Sequence, residues 1–215
     1  VNTSLLFLFS TAFVVALSGA LAPGPVLTAT ISETLKRGFW AGPLLVLGHA
    51  LLELALLAAV VAGLGAWLAR PLVQGLLGVG GGLLLALLGV RMLVLARMEV
   101  MEALGTAPNR RAAVRGPILT GVLTSLANPY WTLWWATIGL NYVALALQRG
   151  AVGLGVFYAG HILADLVWYS LVAAAVAAGR RILPARAYVG LFMVCGAALA
   201  CLGGYFLGTS IGKVR

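Results

Sequence analysis

The chain has 215 residues, 62% of them hydrophobic and only 9% charged, with a formal net charge of +9. Ordinary soluble domains carry about 25% charged residues, so the composition excludes a water-soluble globule, and the hydrophobicity excludes a disordered chain. The two cysteines, Cys195 and Cys201, share one apolar run and face different sides of any helix, which excludes a disulfide scaffold.

A helix needs about 20 apolar residues to cross a bilayer, and six segments qualify. The first runs from Ser4 to Ala22 without a charge. It ends Ala20-Leu21-Ala22, which mimics a signal-peptidase site, but no basic residue stands before Leu5 and Pro23 would follow the cut, so the span is expected to belong to the fold. The second runs from Phe39 to Ala69 and carries His49 and Glu53, and the third runs from Leu72 to Leu95 with Arg91 near its end. The fourth runs from Pro117 to Leu147, the fifth from Ala151 to Ala178 and the sixth from Tyr188 to Leu207. These runs are Leu- and Ala-rich, too long for barrel strands and without strict alternation, which makes them helices. Residues 96–116 form the longest gap and read as a cytoplasmic linker between a first unit, 1–95, and a second, 117–215.

The basic residues fall in gaps between apolar runs, where positive charge sets membrane orientation; nucleic acid is not expected as a partner. With the N-terminus outside, the inner loops hold Lys36, Arg37, Arg91, Arg97, Arg110, Arg111, Arg115, Arg180, Arg181 and Arg186. The outer side keeps only Arg70, Arg149, Lys213 and Arg215, so both termini are expected outside.

The two units resemble each other in order. Leu21-Ala22-Pro23-Gly24-Pro25 matches Leu126-Ala127-Asn128-Pro129-Tyr130, Gly48-His49 through Glu53-Leu54 matches Gly160-His161 through Asp165-Leu166, and Leu85 to Gly89 matches Leu199 to Gly203. Leu and Ala matches carry little weight. The Gly-His-x-x-x-acid match carries more, because it takes in both histidines and two of the five acids. Three spans per unit turn the second unit upside down, the inverted-repeat plan of many secondary transporters. The fold expected is an all-α membrane protein of six helices in two inverted three-helix repeats, with helices broken at Pro23-Gly24-Pro25 and at Asn128-Pro129.

His49 and Glu53 lie four residues apart on one helix face, as do His161 and Asp165. Each histidine stands roughly 15 Å into its span, near the middle of a core about 30 Å thick. Such groups face the bundle interior or water, and a carboxylate beside an imidazole takes up and releases protons near neutral pH. His49, Glu53, His161 and Asp165 are therefore the candidate proton-coupling or cation site. The same four side chains could ligate a divalent metal such as Zn²⁺ or Mn²⁺. Alternatively, each pair merely satisfies itself and pins two helices.

Proline removes a backbone donor, so the chain is expected to unwind at Pro23-Gly24-Pro25 and Asn128-Pro129. A helix restarting near Val26 offers free N–H groups to a substrate carboxylate, which makes Pro23, Gly24, Pro25, Val26, Asn128 and Pro129 the candidate substrate-binding residues. Trp131, Trp134 and Trp135 are expected in an interfacial aromatic belt, with the wall of a substrate path as the alternative. Gly78-x-x-x-Gly82 and Gly204-x-x-x-Gly208 are expected to mark close helix packing.

Ala22-Pro23-Gly24-Pro25 closing the first span, Arg37-Gly38 before the second, the acid within the second and Asn128-Pro129 in the second half together resemble the lysine-exporter (LysE-type) family of bacterial and archaeal amino-acid exporters. The resemblance covers essentially the whole chain. It implies a prokaryotic inner-membrane transporter that exports an amino acid or similar zwitterion by proton antiport, with protons, the bilayer and that substrate as partners; a homodimer is compatible with it. A divalent-metal exporter is the alternative. Both cysteines lie in the sixth span, which sets aside a thiol-based electron carrier. No soluble-enzyme signature occurs, and no cofactor is expected.

Overall fold

A computed structural model describes residues 4–21, 24–68, 70–104, 116–179 and 182–214. Among these there are helices and no strand. Helix α1, Leu5–Ala20, is capped by Ser4, whose hydroxyl accepts from the Phe7 N–H. Helix α2, Pro25–Arg37, restarts after the first break with Gly24 as an extended cap and Pro25 in its first turn. The axes of α1 and α2 differ by 76°. Pro23 and Ala22 lie outside the described residues.

Helix α3, Ala41–Ala59, runs into a π-helical turn, Val60–Leu64, and a short helix α4, Gly65–Leu68. Gly63 in that turn has φ 117°, a conformation only glycine takes without strain. Helix α5, Pro71–Ala103, has 33 residues, roughly 50 Å at helical rise. It is longer than a hydrocarbon core of about 30 Å, so its charged end carrying Arg97, Glu99 and Glu102 projects beyond the apolar layer. The expected linker therefore begins as helix: 96–103 belong to α5. Residues 105–115 of the linker, with Arg110, Arg111 and Arg115, lie outside the described residues, as do Arg180 and Arg181.

The fourth apolar run, Pro117 to Leu147, is not one helix. It comprises α6, Pro117–Leu126, then α7, Pro129–Trp134, a π-helical turn, Trp135–Gly139, and α8, Leu140–Leu147. The break falls at Ala127-Asn128 because Pro129 cannot donate to the preceding turn, while the Asn128 side chain caps α7 by accepting the Tyr130 N–H at 3.1 Å. Helices α9, Gly150–Gly179, and α10, Ala185–Val214, complete the chain. Among the described residues, four helices are long and apolar enough to cross a membrane, or five if α1 and α2 form one bent span.

Helix α1 packs on α9, α3 on α6, and α5 on α10. Small residues let these backbones touch. Gly48 faces the Ile118 carbonyl and Gly121 faces the Leu45 carbonyl at the α3/α6 crossing, and Gly160 faces the Phe9 carbonyl. Helices α5 and α10 run antiparallel, with Gly82 against Gly203 and Leu207 and Gly89 against Gly196 and Ala200. The Gly78-x-x-x-Gly82 expectation holds in this packing. The Gly204-x-x-x-Gly208 expectation does not, since a methyl at either position meets nothing within 4 Å. The packing glycines of α10 are Gly196 and Gly203, one helix face away.

Large apolar side chains cover the outside, Leu6 at 75% and Val94 at 74% exposure among them, whereas histidine and carboxylate groups sit inside. That inside-out distribution fits lipid as the solvent. The chain is a multi-pass membrane protein.

Candidate functional site

The four ionisable residues singled out by the repeat meet in one cluster. Helix α3 supplies His49 and Glu53, and α9 supplies His161 and Asp165 one helical turn apart. Tyr158 of α9 donates to the Ala50 carbonyl at 2.7 Å, which holds the two helices in register beside the cluster.

Glu53 is 1% exposed and sits at the centre. Its Oε1 accepts from the indole N–H groups of Trp131 and Trp135, both at 2.8 Å, and lies 3.2 Å from His49 Nε2. Its Oε2 lies 2.9 Å from His161 Nε2, within ion-pair distance but off the line of a hydrogen bond. A carboxylate removed from water needs this many donors, because burial of an unpaired charge costs several kcal/mol. Asp165 is held more loosely. Its Oδ2 lies 3.4 Å from His49 Nε2 and 3.8 Å from His161 Nε2, and makes no hydrogen bond.

His49 reaches a third helix. Its Nδ1 lies 2.6 Å from Ser125 Oγ on α6, and the Ser125 hydroxyl donates to the Gly121 carbonyl at 2.7 Å. With that hydroxyl spent, Ser125 accepts, so the hydrogen is on Nδ1. The other ring nitrogen, Nε2, faces two carboxyl oxygens. A second hydrogen must lie in that direction, on Nε2 or on one of the carboxyls, since lone pairs would otherwise oppose each other. The geometry thus sets His49 Nε2 between carboxyl oxygens of Glu53 and Asp165, at 3.2 and 3.4 Å. The His161 ring packs on Trp134 with centroids 4.7 Å apart and on Phe157 at 5.9 Å.

A small cavity of about 40 Å³ adjoins the cluster. Its walls include Val26 at the start of α2, Asn128 at the second break, and Trp131, Trp134 and Tyr169. A water needs roughly 10–15 Å³, so this space suits a few waters and protons and is too small for an amino acid. The unpaired polar atoms Trp134 Nε1, His161 Nδ1 and Asp165 Oδ2 give such waters their partners. Of the candidate substrate-binding residues, Val26 and Asn128 border this cavity, Gly24 borders a neighbouring constriction, and Pro25 lines a larger cleft on the far side of α2. The Asn128 side-chain oxygen is engaged in capping α7.

His49, Glu53 and Asp165 can each offer one ligand atom, and these atoms lie within 4.8 Å of one another. The set is one nitrogen and two oxygens, chemistry compatible with a divalent cation. Glu53 Oε1, however, already accepts two indole hydrogens.

The model of the LysE type translocator family matches residues 17–210. The chain belongs to that family. The match takes in both helix breaks and all four clustered ionisable residues. The chain is also similar to "Putative amino acid efflux protein YcgF" of Bacillus subtilis (strain 168), with 27% identity over 204 residues that cover 93% of this chain and 94% of the relative. No solved structure matches the chain. LysE type translocators are transporters, and this chain is one of them.

Ser125 and the bonds from Trp131 and Trp135 to Glu53 escape sequence reasoning, whereas Trp131 and Trp134 line the cavity in keeping with the alternative given for them above. Trp131, Trp134 and Trp135 do not form an interfacial belt: Trp135 is fully buried, and Trp131 and Trp135 hold Glu53. The i, i+4 spacing of Trp131 and Trp135, beginning two residues after Pro129, was the available signal. Ser125 gave no signal, because nothing local to α6 says which of its hydroxyls meets α3. Ser125→Ala leaves the His49 Nδ1–H buried without an acceptor, which costs about 1–3 kcal/mol. The expected outcome is a lower melting temperature in detergent and slowed transport. An unchanged melt would show that the Ser125–His49 contact does not hold the ring.

Proposed function

We propose that this chain exports an amino acid or similar small zwitterion across the cytoplasmic membrane in exchange for protons. The observation that carries the proposal is the joining of His49 and Glu53 on α3 to His161 and Asp165 on α9 in one buried cluster beside both helix breaks. The family and the efflux protein of Bacillus subtilis support export as the activity. The approach of His49 Nε2 to carboxyl oxygens of both Glu53 and Asp165, at 3.2 and 3.4 Å, supports protons as the coupling ion.

Six spans in two inverted repeats, 1–95 and 117–215 around the 96–116 linker, are the architecture that goes with this reading. Supporting it, a two-fold relation between the halves converts the α1/α9 pairing into the α6/α3 pairing and leaves α5/α10 paired with itself. In the cycle, the occluded cavity holds protons on the His49–Asp165 side, and α2 and α7 move away from their breaks to admit the substrate. The restarted α2 at Val26 and the chain at Asn128-Pro129 then meet the substrate carboxylate, and its ammonium displaces the proton from the Glu53/Asp165 pair. Alternating exposure of one fixed midplane site is how inverted-repeat carriers work. Both termini face outside in this arrangement.

The test is efflux of a panel of radiolabelled amino acids from proteoliposomes with an imposed pH gradient. The expected result is efflux of at least one amino acid that is accelerated by the gradient and collapsed by an uncoupler. Efflux indifferent to the gradient would remove proton coupling, and no efflux of any amino acid would remove the substrate class. A divalent-metal exporter remains the second reading, favoured by the His49, Glu53 and Asp165 ligand atoms within 4.8 Å of one another. Metal retained by the purified protein and lost on His49→Ala or His161→Ala would favour it.

A further inference from the structure

The chain has five acids, and four of them line cavities. Glu53 and Asp165 border the central one. Glu33 and Glu99 border a second, far larger cleft of about 490 Å³ between α2, α5, α6 and α10. Small-molecule sites occupy about 300–1,000 Å³, so this cleft, unlike the central cavity, has room for an amino acid. Hydroxyls of Thr28, Ser32 and Thr124 line it, along with Arg91.

Arg91 and Glu99 are an unusual pair. Both sit on α5, eight residues apart, about 12 Å along the helix axis. Arg91 Nη2 reaches Glu99 Oε1 at 3.1 Å with side chains 63% and 24% exposed. So exposed a pair, closed by one hydrogen bond over a long reach, contributes little to stability and opens readily. Opened, it presents a guanidinium that binds a carboxylate through two parallel hydrogen bonds and, at a distance, a carboxylate that takes an ammonium. Glu33, by contrast, is bound at 3.3 Å by Lys36 and at 2.8 Å by Arg37, and is not free to exchange.

A constriction of about 20 Å³ lies between the two cavities. It shares Val26, Asn128, Tyr130 and Tyr169 with the central cavity and Leu199 with the large cleft. Leu85 and Leu199, both buried, close it. The large cleft and the ionisable cluster thus lie on opposite sides of this constriction. The lining of the cleft follows α2 from Pro25 to Glu33, one turn short of Lys36 and Arg37, the end assigned to the cytoplasm in the orientation above.

We propose that this cleft is the loading site for the exported amino acid, whose zwitterion inserts into the Arg91–Glu99 pair with its carboxylate on Arg91 and its ammonium on Glu99, outside the Leu85/Leu199 constriction. The inference rests on the amino-acid exporter reading. Charge is conserved, since one intramolecular ion pair is replaced by two with the ligand.

The experiment uses the full chain in proteoliposomes, with an equimolar mixture of radiolabelled standard amino acids as probe and concentration-dependent efflux as readout. Arg91→Gln and Glu99→Gln are each expected to raise the half-saturating concentration at least about tenfold, since each loses one or more charge-assisted hydrogen bonds to the ligand, while the maximal rate stays near wild type. Arg91→Lys, which keeps charge and loses bidentate geometry, is expected to fall between, and serves if Arg91→Gln melts early in detergent. Efflux by the wild type with unchanged half-saturation in all three variants overturns the loading site and leaves the exporter reading intact. Absence of wild-type efflux for the whole mixture overturns both.

Discussion

Glu53→Gln is expected to be the most damaging single substitution in the cluster, and Asp165→Asn the most informative. Glu53 accepts two indole hydrogens at 2.8 Å on one oxygen and faces His161 with the other. A glutamine keeps one acceptor and turns an amide toward His161, so an imidazole is left without its counter-charge. Removing one partner of a buried ion pair costs about 3–5 kcal/mol, enough to lower the melting temperature visibly and to stop transport. Asp165 contacts both histidines at longer range and without a hydrogen bond. Asparagine at that position keeps the volume and removes only a titratable group. The protein should fold, should exchange substrate across the membrane at equal pH, and should no longer respond to a pH gradient. Melting curves and paired exchange and gradient-driven efflux assays read both effects. Equal losses for the two variants in all assays would contradict this division between an anchoring and a proton-exchanging carboxyl.

Gly121→Ala is expected to damage the protein without touching an ionisable group. A Cβ there meets the Leu45 carbonyl oxygen, which is helix backbone and cannot rotate away. Helices α3 and α6 must separate, at a cost of about 1–3 kcal/mol for an overpacked contact. Ser125 lies one turn beyond Gly121, and His49 one turn beyond Leu45, so the same separation stretches the 2.6 Å contact between them. The variant should melt earlier and transport more slowly. Gly204→Ala is the matched comparison, because a methyl there meets nothing within 4 Å and alanine favours helix by up to about 1 kcal/mol. It should be as stable as the parent or slightly more so. A Gly121→Ala protein with unaltered melting and transport would show that the α3/α6 crossing tolerates expansion.

The sequence by itself determined the features that depend on neighbours within a few residues. Apolar length identified the helices, Pro129 and its preceding asparagine identified a break, and the four-residue spacing of His49 with Glu53 and of His161 with Asp165 put each pair on one face. Those properties follow from helical geometry and need no partner. The tertiary structure alone decided which groups complete the cluster. The fourth apolar run breaks at Asn128, and the helix that restarts at Pro129 carries Trp131 and Trp135 inward to Glu53 instead of outward to a lipid interface. The face of α10 that meets α5 is likewise set by how two antiparallel helices approach, so Gly196 and Gly203 pack while Gly204 and Gly208 do not. Azimuth and bend are collective properties of several helices, and they are where local spacing stops being informative.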